Sequence, residues 1–341
     1  MRTADLLGAW GRTLIGGKPA LSIEITRECP LRCPGCYAYD EGHLGGEGVT
    51  LRQLSDFRGD ELVRRVLELV DRERPLHLSL VGGDPLVRHR ELEQLLPQLD
   101  ARRIHVQVVT SAFRELPRVH RSLSRLTISV SVDGLQPEHD ERRKPATYER
   151  ILKSIAGGRV TIHCTVTGQI AGRPGYLEEF LRFWSARPEV QRVWISLFTP
   201  QRGAQGPEIL TPEQRSAVAV EFERLMPLFP KFHMNPLMIR ELRHPPQSPQ
   251  ECIFARVTRS ISADLSTRIE PCQFGGDPDC SQCGCIASIG LAAVGHVKLL
   301  PGLTAGGLLS ASERVGAAVR LLHARRSLPA PPTFSILNNS K

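Results

Sequence analysis

No apolar run in this 341-residue chain reaches the roughly 18 to 20 residues that a membrane-spanning helix needs. Nor does an apolar stretch of signal-peptide type follow the arginine near the start, within Met1–Lys18. Those two absences make the cytoplasm the expected location and leave only peripheral contact with a membrane open. No internal repeat is present, and no concentrated basic tract. Lysine and arginine number 44 against 36 acidic residues, a net charge of +8 spread along the chain. A positive surface favours an anionic partner, whether nucleic acid, phosphate, a carboxylate-bearing ligand or acidic lipid. Without a basic stripe the nucleic-acid reading is the weakest of these. Apolar residues make up 41% and charged residues 23%, ordinary usage for a globular chain with a packed interior. The length suits one large α/β domain with a smaller appendage.

The chain alternates short, β-branched, mostly apolar runs with amphipathic helical runs. The strands expected are Ala20–Thr26, Leu76–Val81, Ile104–Thr110, Leu126–Val132, Val160–Thr167 and Arg192–Phe198. Helices are expected over Leu51–Asp71, Glu91–Leu99, Thr147–Ile155, Tyr176–Trp184 and Pro212–Met226, the last started by Thr211 as a cap and Pro212 in the first turn. Six β-then-α units predict a parallel sheet with helices outside it, a partial (β/α)6 TIM-like barrel with a small cysteine-rich C-terminal extension. The expected layout is a lead over 1–17, the barrel over 18–228, a proline-rich linker over 229–249, the cysteine-rich domain over 250–300, and a basic amphipathic helix (Ser312–Arg326) with a loose tail over 301–341.

Eight of the nine cysteines fall in two clusters, which in a chain without an export signal read as metal ligands rather than disulfides. The ninth, Cys164, lies mid-strand and reads as a buried structural thiol. The first cluster is Cys29-Pro-Leu-Arg-Cys33-Pro-Gly-Cys36-Tyr37, at the carboxyl end of the first strand, where α/β folds place their chemistry. A four-iron cubane normally takes four thiolates. Three from one tight loop leave one iron open to an external ligand, as catalytic metal sites require. A zinc site with a distant fourth ligand is the alternative.

This spacing resembles the cysteine motif of the radical S-adenosylmethionine (SAM) superfamily, and the resemblance covers roughly Lys18 to Gln201. It departs where Pro34 and Gly35 stand between Cys33 and Cys36. The resemblance implies that Cys29, Cys33 and Cys36 hold a [4Fe–4S] cluster whose open iron chelates SAM. Reductive cleavage then gives methionine and a 5′-deoxyadenosyl radical that takes hydrogen from a substrate. It also implies a reductant such as flavodoxin or ferredoxin. The SAM-binding candidates are Tyr37, the turn Gly82-Gly83-Asp84-Pro85 (similar to the family's Gly-Gly-Glu-Pro), Thr110, the polar strand face Ser129, Ser131 and Asp133, and Arg143 as a fork for the SAM carboxylate. A surface ion pair of Arg143 with Glu138 or Glu141 competes with that last role, and a strand end capped by its own hydroxyls competes at Thr110.

The second cluster is Cys252, Cys272, Cys280, Cys283 and Cys285. Its segment has too few periodic apolar residues for a large core, so metal is expected to organise it. It is loosely similar to the auxiliary-cluster extensions of radical SAM enzymes, the SPASM and twitch domains. That likeness implies one further iron–sulfur cluster held by four of the five, with structural zinc the alternative. The substrate classes open are peptide, lipid and small metabolite. About twenty residues before the barrel leave little room for a separate leader-peptide-binding domain. Gln201-Arg202-Gly203 are placed at the barrel mouth. The readings from other classes are a non-catalytic zinc or iron–sulfur scaffold or electron carrier, and an RNA-modifying radical SAM enzyme.

Overall fold

The computed structural model describes residues 3–45, 49–145 and 148–326, with side chains described for 7–45, 49–145 and 148–321. The expected tail Ser327–Lys341, and Thr147 at the start of one expected helix, lie outside the described residues.

Six parallel strands follow one another in space as in sequence. They are β1 (Ala20–Glu24), β2 (His77–Val81), β3 (His105–Thr110), β4 (Leu126–Ser131), β5 (Val160–Val166) and β6 (Val190–Leu197). Register sets Ser22 beside Ser79, Ser79 beside Gln107, Ser129 beside Thr161, Ser131 beside His163 and Thr165 beside Ser196. Those residues share one face of the sheet, because neighbours in register point the same way. The opposite face carries Leu21, Ile23, Leu78, Leu80, Val106, Val108, Ile128, Val130, Ile162 and Ile195, all in the main core beside helix residues such as Leu92, Leu95, Phe180 and Trp184. Each strand is thus apolar toward the helices and polar away from them, which leaves an open, TIM-like α/β sheet with a polar concave side.

Two further strands of this sheet were not anticipated. β7 (Thr258–Ile261) pairs in parallel with β1, and β8 (Arg268–Ile269) pairs antiparallel with β7. Both belong to the cysteine-rich segment, which therefore shares the barrel's sheet. The proline-rich stretch holds a helix, Pro236–Arg243, capped by the Asn235 side chain. The lead forms the helix Thr3–Leu14, which packs on the C-terminal helix Ala305–Arg326. That helix begins seven residues earlier than the basic run suggests, and Arg320 and Glu313 dock it through Gly16 O and Arg256.

The helix expected over Leu51–Asp71 is divided. A short 3-10 turn covers Leu51–Gln53 and the α-helix starts only at Gly59. The cause is local: Arg27 Nη1 donates to the carbonyls of Arg52 and Leu54, and Asp56 is drawn toward Thr26 and Arg88. These bonds take the backbone out of helical geometry. Helix Pro212–Leu225 begins as expected, with Thr211 and Gln214 forming a reciprocal capping box.

From that helix Arg215 donates to the carbonyls of Gln282 (2.9 Å) and Cys283 (3.1 Å) and so pins the extension to the barrel. Arg215→Met keeps the apolar stem and removes the donors. It should lower unfolding free energy by roughly 1–3 kcal/mol in urea titrations, with faster hydrogen exchange confined to the 280–286 segment.

Candidate functional site

Cys29, Cys33 and Cys36 are free thiols on the loop that leaves β1, each partly exposed. The loop is braced on both sides. Before it, Asp56 Oδ2 accepts from Thr26 Oγ1 (2.9 Å), Arg27 N (3.3 Å) and Arg88 Nη2 (2.7 Å), while Arg88 Nη1 reaches Glu28 Oε2 at 3.2 Å. Arg88 and Asp56 are nearly sealed from water. Within the loop, Arg32 N donates to Lys144 O at 2.6 Å, just past Arg143. Burial pushes the Cys29 thiol up to about 12, and the Asp84 charge adds to it. Burial also raises Cys33, against the pull of Arg143. Without a cation these groups stay as thiols, so binding iron displaces protons.

The Gly82–Pro85 turn lies directly against this loop. A Cβ on Gly82 would come within 2.6 Å of Thr26 O, and one on Gly83 would run into the Glu28 carbonyl. Only glycine lets the two backbones meet so closely. Gly83 N and Asp84 N donate to those same carbonyls at 2.8 and 2.9 Å. The Asp84 carboxylate accepts from Thr110 Oγ1 (2.7 Å), Ser111 N (2.8 Å), Ser111 Oγ (2.6 Å) and Leu86 N (3.0 Å). Asp84 and Thr110 are thereby occupied with each other and join the ends of β2 and β3. Burial still leaves Asp84 above its ordinary value, despite Ser111 and Thr110.

At the end of β4, Asp133 Oδ2 accepts from Arg143 Nε (2.8 Å) and Arg142 Nε (3.1 Å), and Oδ1 from Thr165 N (3.1 Å). Burial opposes ionisation, but the two guanidinium charges hold this carboxyl well below the usual range. Asp133 is therefore an anchor that aims Arg142 and Arg143 at the side of the loop carrying Cys33, which feels both charges. Arg143 pairs with Asp133, not with Glu138 or Glu141; Glu138 is taken by Arg173 and by the Tyr176 hydroxyl. Ser129 Oγ is buried with no partner among the described residues, and so is Trp194 Nε1. Both lie on the polar face of the sheet, where a bound ligand would satisfy them.

The five C-terminal cysteines converge. All of them line one cavity, together with Thr199, Pro271, Phe274 and Ser288. Burial pushes Cys272 up to about 12 and Cys280 up to about 11, and it raises Cys283 and Cys285 as well. Neighbouring thiols add to each shift, which places them within electrostatic reach of one another. Among the described residues no three His, Cys, Asp or Glu side chains close on one point tightly enough for a single ion. Both sets of thiols are grouped, partly or wholly buried, and without a disulfide partner among the described residues. Gln201 and Arg202 hold the extension in place, through Gly275 O and Asp277.

Tyr37 lies between the two sets. Its ring meets Phe274 edge-on at 5.2 Å and His43 at 5.6 Å, and burial raises its hydroxyl, with Glu24, Cys36, Cys285 and Cys272 contributing. Sequence reasoning did not reach Asp56, Arg88, Glu24 or His43. The signal available was weak: charged residues with no periodicity to mark them as buried.

Asp133→Asn leaves the Arg143 guanidinium without its counter-charge, while Arg142 keeps Glu208. It should lower stability by about 3 kcal/mol at pH 7. A depressed carboxyl stabilises above its unfolded value and loses that contribution as pH falls through the folded one. The gap between wild type and variant in urea titrations should thus stay level from pH 7 to about 4 and close only in stronger acid.

Residues 23–182 match the model of the radical SAM superfamily. Streptococcus suis SuiB bound to S-adenosylmethionine is similar in fold at 13% identity, with a TM-score of 0.52, over 76% of this chain and 60% of that one. This chain thus spans less than two thirds of that SuiB chain. In its complex with precursor peptide SuiA, SuiB aligns at 14% identity and a TM-score of 0.54, over 93% and 70% of the two chains. Native anSMEcpe with bound AdoMet and Kp18Cys peptide aligns at 13% identity and a TM-score of 0.51, over 91% and 100%. No curated protein matches the chain. With three cysteines at this spacing on the loop after β1, a six-stranded parallel sheet to carry them, and a family match that begins inside β1 and runs through β5, residues 23–182 carry a domain similar to the radical SAM superfamily.

Proposed function

We propose that this enzyme cleaves SAM at a [4Fe–4S] cluster held by Cys29, Cys33 and Cys36, and uses an auxiliary iron–sulfur cluster held by four of Cys252, Cys272, Cys280, Cys283 and Cys285. The observation that carries the reading is the seating of the three-cysteine loop between the Gly82–Pro85 turn and the Asp133–Arg142–Arg143 group. When bound, the first cluster supplies the electron that breaks a carbon–sulfur bond of SAM, and the resulting 5′-deoxyadenosyl radical abstracts hydrogen from the substrate.

The chain's own residues do the rest. Arg143, aimed by Asp133, offers a guanidinium to the SAM carboxylate. The carbonyls of Gly82 and Gly83 can accept from the SAM amino group, since the amides of Gly83 and Asp84 already donate to Thr26 and Glu28. The unpartnered hydroxyl of Ser129, with Ser131 two residues on, faces the polar side of the sheet, where the ribose of SAM would lie. The extension closes over the end of β6, where Leu197 N donates to Gly284 O and Ile286 N to Ser196 Oγ. That closure limits water near the reacting carbon.

For the substrate we propose a peptide. SuiB and anSMEcpe, which share this fold, were captured with a precursor peptide and with the Kp18Cys peptide. Lipid and small-metabolite substrates are the competing outcomes of the assay below, and a flavodoxin or ferredoxin is the proposed reductant.

Anaerobic reconstitution with iron and sulfide, followed by dithionite and SAM, should release 5′-deoxyadenosine from a protein carrying roughly eight irons, the sum of two four-iron clusters. Cys33→Ala should abolish that release and keep roughly four irons, those of the second site. Parent-rate cleavage by the variant would overturn the assignment. Bound zinc with no deoxyadenosine would favour a scaffold.

A further inference from the structure

Between the two cysteine sites lies a buried polar group that belongs to neither. His43 Nε2 is 2.9 Å from Glu24 Oε1, and His43 Nδ1 is 2.8 Å from the carbonyl oxygen of Phe274. Glu24 Oε2 accepts from Ser262 Oγ at 2.6 Å. The side chains of His43 and Glu24 are 0% and 2% exposed. A carbonyl only accepts, so Nδ1 carries a hydrogen and Nε2 shares one proton with the carboxylate. The pair has no net charge however that proton is placed.

The partners come from four parts of the chain. Glu24 ends β1, five residues before Cys29. His43 follows the Cys36 turn. Ser262 follows β7, and Phe274 stands two residues after Cys272. The contact is close: a Cβ on Gly275 would run into the His43 carbonyl. Tyr37, next to Cys36, fills the remaining space against Phe274 and His43. An apolar pair would fill the same volume without the desolvation penalty of two ionisable groups. What the polar pair adds is register, since Nδ1–H meets one carbonyl and the carboxylate meets one hydroxyl.

We propose that Glu24 and His43 are positioning residues that lock the Cys272 loop onto the loop following Cys36, so that assembly of the second cluster depends on the first site's scaffold. This inference rests on the second iron–sulfur site proposed above. The two residues act through Phe274 and Tyr37. The connection is mechanical: one hydrogen bond sets where the peptide bearing Cys272 sits, and with it the spacing of Cys272 from Cys280 and Cys283.

The test compares wild type, His43→Phe, His43→Asn and Glu24→Gln, each full length and reconstituted anaerobically. Iron per chain and the electron paramagnetic resonance spectrum of the reduced protein are read with and without SAM. His43→Phe fills the volume without a donor. It should keep the SAM-sensitive signal of the first cluster and lose the second signal, with iron falling to about half. His43→Asn replaces the Nδ1 donor with an amide N–H and should restore most of the second signal, a rescue that lost packing alone would not give. If His43→Phe fails to fold, Glu24→Gln, which keeps the shape but weakens the hold on Nε2, should show the same selective change in the second signal. Two unaltered signals in the folded variants would overturn the coupling alone. A wild type that takes up only one cluster would overturn the second site, and the coupling with it.

Discussion

Buried carboxylates are the constraint on which the rest of this structure depends. Glu24, Asp56, Asp84 and Asp133 are all nearly sealed from water, and a carboxylate in that position is tolerated only where donors or a counter-charge meet it. Each finds its partners on a different segment. Asp56 takes Thr26 and Arg88, Asp84 takes Thr110 and Ser111, Asp133 takes Arg142, Arg143 and Thr165, and Glu24 takes His43 and Ser262. The demand of each group for donors therefore becomes a tie between loops at the carboxyl end of the sheet. These loops hold only a small core of their own, around Ala38, Leu51 and Ala263. Their order is electrostatic and directional, which suits a place where thiols and a ligand must be held at fixed separations.

The strands were legible because burial on the helix side leaves an apolar signature at every second position, and the six strands expected all appear within a few residues of their bounds. The three-cysteine motif was legible because its spacing is rare and its position after a strand is chemically meaningful. The second group of cysteines stood out by density alone, and the structure adds that all five thiols reach one cavity. Less legible was what the polar site residues do. Asp84 and Asp133 read from sequence as groups facing a ligand; in the structure they are chiefly holders of Thr110, Ser111, Arg142 and Arg143. Alternation along a strand reports which side a residue faces, but not whether its valences are already filled by a neighbour distant in sequence. The same limit explains the divided helix after Leu51. Its apolar spacing is helical, and Arg27 and Asp56 override it through contacts about thirty residues apart in the chain.

The cysteine-rich segment illustrates a second limit. Its scarcity of periodic apolar residues suggested a unit organised by metal alone. Yet β7 extends the barrel sheet from β1, and Ser260 and Ser262 continue the polar rows begun by Ser22 and Glu24. A four-residue strand gives almost no signal by itself. It becomes a strand because the open edge of β1 offers unpaired backbone donors and acceptors, which some segment must cover.

That arrangement has a consequence for how the two cysteine sets relate. β1 ends in the loop carrying Cys29, and its neighbour β7 runs on through β8 to Cys272. The two sites are therefore attached to adjacent strands of a single sheet, and the Glu24–His43 pair crosses between them at the point where the strands stop hydrogen bonding. A hinge between barrel and extension at this place would have to break the β1–β7 ladder and strip a buried carboxylate of its partners together. The thiols of the second site and those of the first are thus held in one frame. The distance between any metal groups they carry is set by the sheet, before either group is bound.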